Sequence, residues 1–402
     1  MALLSVAEAL ERVLSHAAPL PAEQAPLAEA HGRVLAADLK ALRTQPPADV
    51  SAMDGYAVRA DDLASVPVHL RVIGEVAAGR PFARPVGPGE AARIFTGGVL
   101  PEGADTIVIQ EHTRRDGDRV EVEKPSARGR HIRAQGLDFK LGDTLLAAGH
   151  RLTARDLALA AGMNHARIPV HRRPKIAVLA TGDELVPPGT QPAPGQIVSS
   201  NTFALGALAR TEGADVEDLG IVGDRLDPTV AAVRHARDLG VDVLVTSGGA
   251  SVGDYDLAQA AFAAEGMTLS FWKLALRPGR PLMHGRLGPM HVLGVPGNPV
   301  SAFVCAFLFL VPLIRRLAGR GDLSPPTETA LLGCDLPEND ERVDYLRATL
   351  RQGTDGSVVT AFPVQDSSMT VPLAKADCLL IREPFALPAK AGSRCAIMRF
   401  EH

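Results

Sequence analysis

The chain has 402 residues, of which 46% are hydrophobic and 22% are charged, and its formal net charge is -4. This length exceeds one ordinary hydrophobic core, so we expect two to four domains. The acidic balance argues against a general nucleic-acid-binding protein, because affinity for a phosphate backbone needs an excess of Lys and Arg.

The spacing of the cysteines and the length of the apolar runs indicate the cellular location of the protein. The four cysteines have neither close pairing nor metal-ligand spacing, which is typical of free thiols in a reducing cytoplasm. Near the N-terminus, Glu8 interrupts any apolar signal-peptide region. The longest apolar run, residues 302–314, contains Pro312 and is too short to span a bilayer. We therefore expect a soluble cytoplasmic protein with no membrane segment.

The first part of the chain alternates between helical and β-rich character. Apolar residues at helical spacing predict helices within residues 5–39, with a break at two prolines. Short β-rich runs punctuated by Pro and Gly predict an inserted β domain over residues 42–133. Another helix is predicted at residues 153–162. The flanking segments, residues 1–41 and 134–173, are therefore predicted to form one discontinuous helical domain that links the others.

The second part of the chain alternates strands with helices, which predicts an α/β domain over residues 174–323 with a doubly wound, mostly parallel sheet. After a linker-like Ser-Pro-Pro break, residues 324–402 are strand-rich and predict a small C-terminal β domain. The predicted α/β strands are residues 175–180, 215–220, 241–246, 268–274 and 291–295, and the predicted helices are residues 202–212, 228–239, 256–265 and 300–318.

The usual nucleotide-binding signatures are missing from these strand ends. No Gly-Lys dipeptide occurs, which excludes a Walker A loop, and residues 248–253 lack the spacing of a dinucleotide-binding turn. Small residues nevertheless follow two predicted strands, and such residues let an anionic ligand approach loop amides at the sheet edge. These candidate ligand contacts are Thr181, Gly182, Ser247, Gly248 and Gly249.

Carboxylates cluster at the same predicted strand ends. Asp183 and Glu184 follow the first strand, Asp224 follows the second, and Asp254 and Asp256 follow the third. Each alone is typical of a helix cap or a solvated loop residue. Together they would repel one another unless they shared a cation, which favours Mg²⁺ or another hard metal bound together with substrate oxygens.

Cations and a helix start follow in the sequence. Lys273, Arg277 and Arg280 are either solvated surface cations or, held by Pro-Gly turns, ligands for an oxyanion. In the segment Pro296, Gly297, Asn298, Pro299, Val300 and Ser301, Asn298 is a predicted N-cap and Pro299 a predicted first helical residue. Free amides at this helix end would favour a phosphate.

Several long motifs, in order, resemble one family. They are SAMDGYAVR (51–59), IFTGGVLPEGADTIVIQE (94–111), ATGDEL (180–185), SGGASVGDYD (247–256), FWKLALRPGRP (271–281) and GVPGNPVSAF (294–303). Together they resemble the molybdopterin molybdenumtransferases, the family of bacterial MoeA and of the E domain of gephyrin.

The resemblance implies an elongated four-domain subunit in a homodimer, with an α/β domain of the molybdopterin-binding type. It implies that molybdate and adenylylated molybdopterin are the substrates, that AMP is released, and that molybdenum cofactor is formed with the help of Mg²⁺. It further implies a cleft between the α/β domain of one subunit and the small β domain of the other. Other proteins of molybdenum cofactor biosynthesis are implied as possible partners.

Site residues carry over from the family one by one. Asp54, Asp138, Glu184, Asp224 and Asp256 match acidic positions, and Lys273 matches a basic one. Asp224 and Asp256, with Glu184, are the implied metal ligands. Two C-terminal residues, Arg347 and Ser367, match positions placed near the partner's cleft. Arg277 and Arg280 stand where many relatives have Lys, and an Arg fork can still hold molybdate or phosphate oxygens.

Two other functions compete with this hypothesis. The same fold could act as a non-catalytic molybdopterin-binding scaffold, although the acidic set is intact and no extra domain is attached. A molybdopterin adenylyltransferase would share the α/β domain. It would need only that part, and the flanking β domains and the motif around Asp54 count against it.

Overall fold

The computed structural model describes residues 3–80, 82–248 and 257–400 of the chain. Gly249 and Asp256, two of the predicted site residues, lie outside these ranges. Four units follow from strand pairing and packing, and we call them the linking unit, the inserted sheet, the central sheet and the C-terminal sheet.

The chain begins with the helix Val6–Ser15, whose start is fixed by a capping box. The Ser5 hydroxyl accepts a hydrogen bond from the Glu8 amide (3.2 Å), and the Glu8 carboxylate accepts one from the Ser5 amide (3.0 Å). Ala9 and Val13 are fully buried, in a cluster shared with the central sheet. This helix therefore packs on the α/β core.

The prediction of helices throughout residues 5–39 is wrong beyond Ser15. Prolines end the helical pattern, and Ala22–Pro26 is instead a strand that pairs antiparallel with Arg167–His171. Long-range pairing overrides local helix propensity here. The remaining strands of the linking unit are Leu39–Lys40 and Thr144–Leu146, and its helix is Ala154–Gly162. Because its halves pair across more than 140 residues, the linking unit is discontinuous.

The inserted sheet is looped out between those halves. Its strands lie in the spatial order Thr106–Ile109, Gly55–Val58, Glu90–Ile94, Val68–Val76, Arg119–Val122 and Thr113–Asp116. A short ladder of Val50–Ser51 with Ile132–Arg133 closes its base. The core includes the fully buried Val58, Ile94 and Ile107, so this unit has its own hydrophobic interior.

The central sheet is parallel except for a hairpin at one edge. Its spatial order is Asp215–Val222, Lys175–Thr181, Val243–Ser247, Met290–Val295, Met283–Leu287 and Thr268–Trp272. Met283–Leu287, which the sequence did not predict, runs antiparallel to both neighbours. Alternate residues of Lys175–Thr181 enter different core clusters, so both faces of the sheet are covered. The covering helices are Asn201–Thr211, Leu226–Asp238, Leu257–Ala264 and Pro299–Leu317.

The last of these helices is apolar on nearly all sides because it lies inside the protein. Within the described ranges, Pro299–Leu317 is the helix long and apolar enough to cross a bilayer, but 89% of it is buried in the fold. A π-helical turn, Ala306–Leu310, lies between its α-helical ends Pro299–Cys305 and Val311–Leu317. Its apolar composition is thus explained by core packing.

The C-terminal sheet closes on itself. Its strands lie in the order Leu276–Arg277, Val343–Gly353, Gly356–Ala361, Thr327–Leu332, Arg394–Arg399 and Cys378–Arg382. Cys378–Arg382 also pairs with Val343–Gly353, which makes a small barrel. Its helix is Thr370–Ala374. Since Leu276–Arg277 comes from the α/β segment, this sheet is bonded directly to the central unit.

Candidate functional site

A cavity lies where the parallel strands of the central sheet end. Its volume is about 820 Å³. Residues from four strand-end loops line it, and Ser368 and Thr370 of the C-terminal unit lie on one side. The predicted site residues that it brings together are Thr181, Gly182, Glu184, Asp224, Ser247, Gly248, Pro296, Gly297 and Asn298. We call this cavity the main cleft.

The floor of the main cleft is set by strand register. Ser247 lies opposite Ala180 on one neighbouring strand and opposite Val295 on the other. Gly248 has φ +97°, and a Cβ there would lie 2.2 Å from the carbonyl oxygen of Thr181, so only glycine fits. The Thr181 hydroxyl is buried and has no hydrogen-bond partner among the described residues. A buried hydroxyl without a partner is costly and marks a place for a ligand atom.

Two carboxylates lie at the rim of the main cleft. Glu184 and Asp224 are exposed, and neither side chain forms an ion pair with any residue that the structure describes. Asp183 differs, because its Oδ1 accepts a hydrogen bond from the Asp224 amide (3.0 Å) and so fixes the loop. Asp256, the third predicted metal ligand, is outside the described ranges.

The predicted helix start is confirmed, although its amides are not all free. Asn298 is the N-cap and Pro299 the first helical residue. The Val300 amide donates to the backbone oxygen of Ser367 (3.0 Å), and Asn298 Nδ2 donates to the Ser367 hydroxyl (3.0 Å). Ser301 is buried and does not line the main cleft. The loop that contains Ser367 therefore occupies part of the helix end at which the sequence predicted a bound anion.

That loop is held by Arg347, which does not act as a surface anion ligand. Only 1% of Arg347 is exposed, and its guanidinium donates to Gln365 Oε1 (3.1 Å) and to the backbone oxygens of Asp366 (2.9 Å) and Met369 (3.3 Å). Burial lowers the pKa of this guanidinium. The assignment of Arg347 to substrate binding is therefore not supported, because its donors are committed inside its own unit.

The same loop reaches the cleft of its own chain. Ser368 and Thr370 line the main cleft, beside the Ser367–Asn298 hydrogen bond. Within this chain the loop thus lies at the cleft of its own central sheet, and a role of Arg347 and Ser367 at a partner's cleft stays a prediction.

The three predicted cations have different surroundings. The Arg277 guanidinium donates to Asp344 through Nε (2.6 Å) and Nη2, to Asp340 (3.1 Å) and to Asn339 (3.0 Å). The hydrogen bonds that Arg277 donates to Asp344 raise the pKa of its guanidinium and burial lowers it, and the net result is a raised pKa. Direct contact of Arg277 with substrate in the main cleft is not supported, because these acceptors hold it elsewhere.

Arg277 lines a second cavity of about 640 Å³, bounded by Pro278, Leu336, Phe362 and Asp344. We call it the barrel cavity. Lys273 lies with Nζ 4.7 Å from the centre of the Trp272 ring, a cation–π contact. Arg280 is exposed, its guanidinium has no hydrogen bond or ion pair within the described ranges, and the next residue, Pro281, lines the main cleft. Arg280 is thus the predicted cation best placed to meet an anion there.

Asp54 and Asp138 lie outside both cavities of their own chain. Asp54 Oδ1 accepts hydrogen bonds from the Thr96 amide (2.7 Å) and hydroxyl (2.8 Å), which lower the pKa of the carboxyl. This is the turn-capping role expected of an Asp-Gly pair. Asp138 is exposed in the linking unit, where its amide donates to the Gln45 carbonyl (3.0 Å).

Asn201 was not predicted as a site residue from the sequence. It is the first residue of the helix Asn201–Thr211, and it lines the main cleft. Its Nδ2 donates to the Ser247 hydroxyl (2.7 Å) and to the Gly297 carbonyl (2.7 Å). The polar run Ser199, Ser200 and Asn201 ahead of an apolar helix is a start signal that could have identified it.

Comparison with known proteins gives a consistent result over the whole chain. Residues 4–163 match the MoeA N-terminal region (domain I and II), residues 177–316 match a probable molybdopterin binding domain, and residues 329–400 match the MoeA C-terminal region (domain IV).

Individual relatives agree with these matches. A molybdopterin molybdenumtransferase of Haemophilus influenzae is 35% identical over 390 residues, covering 96% of this chain and 95% of the relative. One from Nostoc is 39% identical over 299 residues, covering 72% of this chain and 68% of the relative. A crystal structure of a molybdopterin biosynthesis MoeA protein from Pyrococcus horikosii superposes with a TM-score of 0.86 at 30% identity, covering 100% of both chains. The chain therefore belongs to the molybdopterin molybdenumtransferase family.

Proposed function

We propose that this chain inserts molybdenum from molybdate into adenylylated molybdopterin, releasing AMP and leaving molybdenum cofactor. The observation that carries the proposal is the set of polar groups in the main cleft that have no side-chain partner among the described residues: the buried Thr181 hydroxyl and the Glu184 and Asp224 carboxylates. Family membership narrows the ligand of these groups to a molybdopterin. The volume of about 820 Å³ suits a ligand with two ring systems and a pyrophosphate.

The floor residues would bind and orient the phosphate groups. Thr181 and Ser247 offer hydroxyl donors at adjacent strand ends, and Gly248 lets a ligand approach the backbone. Arg280, unpaired beside the cleft, would add a bidentate cation for oxyanion oxygens of phosphate or molybdate. These groups would hold the pyrophosphate bond and the incoming oxyanion together, which lowers the entropic part of the barrier.

The rim carboxylates fit a magnesium ion. Mg²⁺ in proteins usually takes one or two carboxylates, substrate phosphates and several waters, and Glu184 and Asp224 are two exposed carboxylates with no described ion-pair partner. Bound there, Mg²⁺ would stabilise the negative charge that develops on the departing AMP. Asp256, which matches another acidic position of the family and lies outside the described ranges, is the third proposed ligand.

We further propose that two copies of the chain assemble. The linking unit carries an apolar ridge, in which Leu42 is 53% exposed, Leu137 is 65% exposed and Leu141 is 67% exposed. Isolated exposed leucines need no explanation, but three on adjoining segments favour a covered surface. Asp138 lies on this ridge, so assembly would give it and Asp54 a route to act on a partner's cleft. Size-exclusion chromatography with light scattering tests this: a monomer at working concentration would contradict it.

We propose a cytoplasmic location because the cysteines are free thiols. Cys305, Cys334, Cys378 and Cys395 are all free in the structure, as expected where thiols stay reduced. Net negative charge supports small-molecule substrates rather than nucleic acid.

The test is a reconstituted reaction. Purified protein would be incubated with adenylylated molybdopterin, molybdate and Mg²⁺, and AMP release and cofactor formation would be followed. Release of AMP that depends on both molybdate and Mg²⁺ is expected. A scaffold would bind the substrate without releasing AMP, and an adenylyltransferase would instead consume ATP and unmodified molybdopterin. Either result would overturn the proposal.

A further inference from the structure

Asn201 joins two loops of the main cleft that come from distant parts of the chain. One acceptor is the Ser247 hydroxyl, at the end of the strand Val243–Ser247, and the other is the Gly297 carbonyl, just before the helix that starts at Pro299. A carbonyl can only accept, so the contact with Gly297 fixes which end of the amide is Nδ2. Both amide hydrogens are therefore used inside the site.

This arrangement determines what Ser247 can offer a ligand. Ser247 is 3% exposed and lines the main cleft, and its oxygen already accepts from Asn201. No residue in the described ranges accepts its hydroxyl hydrogen. A hydroxyl has one hydrogen and two lone pairs, so with one lone pair engaged the hydrogen is left for an acceptor in the cleft.

The Thr181 hydroxyl does not share this arrangement. Ser247 is paired with Ala180, so the next residue, Thr181, points to the other face of the sheet, and its Oγ1 is buried with no partner in the described ranges. The Ser247 hydroxyl and the Gly297 loop, both held by Asn201, form the cradle for an oxygen of a phosphate or another tetrahedral oxyanion. The Oδ1 atom of Asn201 also has no partner in the part of the chain that the structure describes.

We infer that Asn201 is a positioning residue for the substrate oxyanion: it orients the Ser247 hydroxyl as a donor and fixes the Gly297 loop, and it acts through these groups. The inference rests on the proposed function. It identifies the residue that positions the groups at the floor of the main cleft. Because the cradle is made before the ligand arrives, loss of Asn201 weakens binding more than it slows the chemical step.

The experiment measures binding and turnover separately in variants of the full chain. Binding of adenylylated molybdopterin is measured by titration calorimetry without molybdate, and turnover by AMP release with molybdate and Mg²⁺. For Asn201→Ala we expect about 10-fold weaker binding, a kcat within about threefold of wild type, and a similar thermal midpoint. Asn201→Asp adds a charge next to the oxyanion and should weaken binding about 100-fold or more.

A double variant tests whether Asn201 acts through Ser247. If it does, Asn201→Ala combined with Ser247→Ala should bind only about threefold more weakly than Ser247→Ala alone, because the orienting hydrogen bond has then already lost its target. Phe203→Ala is the matched control, since Phe203 is on the same helix and 57% exposed. It should bind as wild type does.

Three outcomes would overturn the inference: wild-type binding in Asn201→Ala, full additivity in the double variant, or a loss confined to kcat. A lowered thermal midpoint accompanied by equal loss of binding in Phe203→Ala would assign the effect to the helix and would also overturn it. Failure of the proposed function is distinguishable, because the wild-type protein itself would then neither bind adenylylated molybdopterin nor release AMP.

Discussion

The main cleft and the barrel cavity lie on the same two units but differ in how their charged groups are satisfied. In the main cleft, Glu184, Asp224 and the nearby Arg280 have no ion pair within the described ranges. In the barrel cavity, Arg277 is held by Asp344 and Asp340. The cavities have comparable volumes, about 820 Å³ and about 640 Å³. Volume therefore does not identify the site, whereas polar groups left for a ligand do.

The largest expected effect comes from the rim carboxylates. Asp224→Asn and Glu184→Gln should each lower kcat/KM for Mg²⁺-dependent AMP release by about 100-fold or more, about 3 kcal/mol of transition-state stabilisation. Because both side chains are exposed, the thermal midpoint should stay within about 2 °C of wild type.

Asp344→Asn in the barrel cavity is the matched control for these variants. It removes the charge of a side chain that is 7% exposed, so it should lower the free energy of unfolding by about 1–3 kcal/mol and leave kcat/KM per folded molecule within about threefold. Normal turnover in both rim variants, or a strong catalytic loss in Asp344→Asn, would contradict the assignment of the active site to the main cleft.

Acidic pH should lower the free energy of unfolding through two buried histidines that line neither cavity. His284 Nε2 and His291 Nδ1 are 3.2 Å apart in the core, where burial lowers the pKa of His284 to about 3 and that of His291 to about 4. The charge of Arg286, which donates to the His16 carbonyl, contributes to both lowered pKa values, and the neighbouring His291 contributes to that of His284.

The sign of the pH effect follows from these directions. The unfolded chain binds protons below its ordinary histidine pKa near 6.5, while the folded pair stays neutral, so stability is complete above that pH and falls as pH decreases. Between pH 6 and pH 5 each histidine should cost about 1 kcal/mol, as measured by urea unfolding. Variants of either cavity should show the same slope, and a flat profile over this interval would contradict the buried neutral pair.

Arg280 and Arg277 form a matched pair three residues apart. Arg280→Gln should weaken binding of adenylylated molybdopterin about 10-fold, or about 1.4 kcal/mol, since its guanidinium is free to meet an oxyanion. Arg277→Gln should change binding less than twofold but lower the thermal midpoint, because Asp344 loses its partner. If Arg277→Gln alone impairs binding, the barrel cavity and not the main cleft holds the anion.

The smallest effect should come from the contact between the two units. Ser367→Ala removes the acceptor of Asn298 Nδ2 at the edge of the main cleft. One such hydrogen bond contributes about 0.5–1.5 kcal/mol, so we expect KM to rise about threefold with kcat unchanged. Titration of AMP release against substrate concentration would show this, and an unchanged KM would mean that the loop does not shape the site.

Sequence patterns predicted the central sheet best, because its strands and helices differ strongly in apolar period. The antiparallel strand Met283–Leu287 escaped prediction, since its buried His284, Gly285 and partly buried Arg286 interrupt the apolar pattern. Likewise Ala22–Pro26 has no β character of its own and is a strand only through its partner Arg167–His171.

Within the site, residues at strand ends were predictable and their partners were not. Thr181, Ser247 and Asn298 were found because parallel strands end at one edge. Local sequence could not show that Arg347 would be buried under Gln365, or that Arg277 would meet Asp344, because these pairings span the boundary between units or fold back over many residues. Motif strings therefore located the cleft but did not separate ligand contacts from structural ion pairs.

The burial of the first helix has a consequence for synthesis on the ribosome. Ala9 and Val13 are buried in the same apolar cluster as Leu310 and Ile314, and the Leu20 amide donates to the Leu317 carbonyl (2.8 Å). The helix Val6–Ser15 therefore leaves the exit tunnel about 300 residues before its apolar partners and cannot bury its apolar face until they follow. During elongation this face stays unburied, while the inserted sheet, whose pairings are internal, can complete its fold in the meantime.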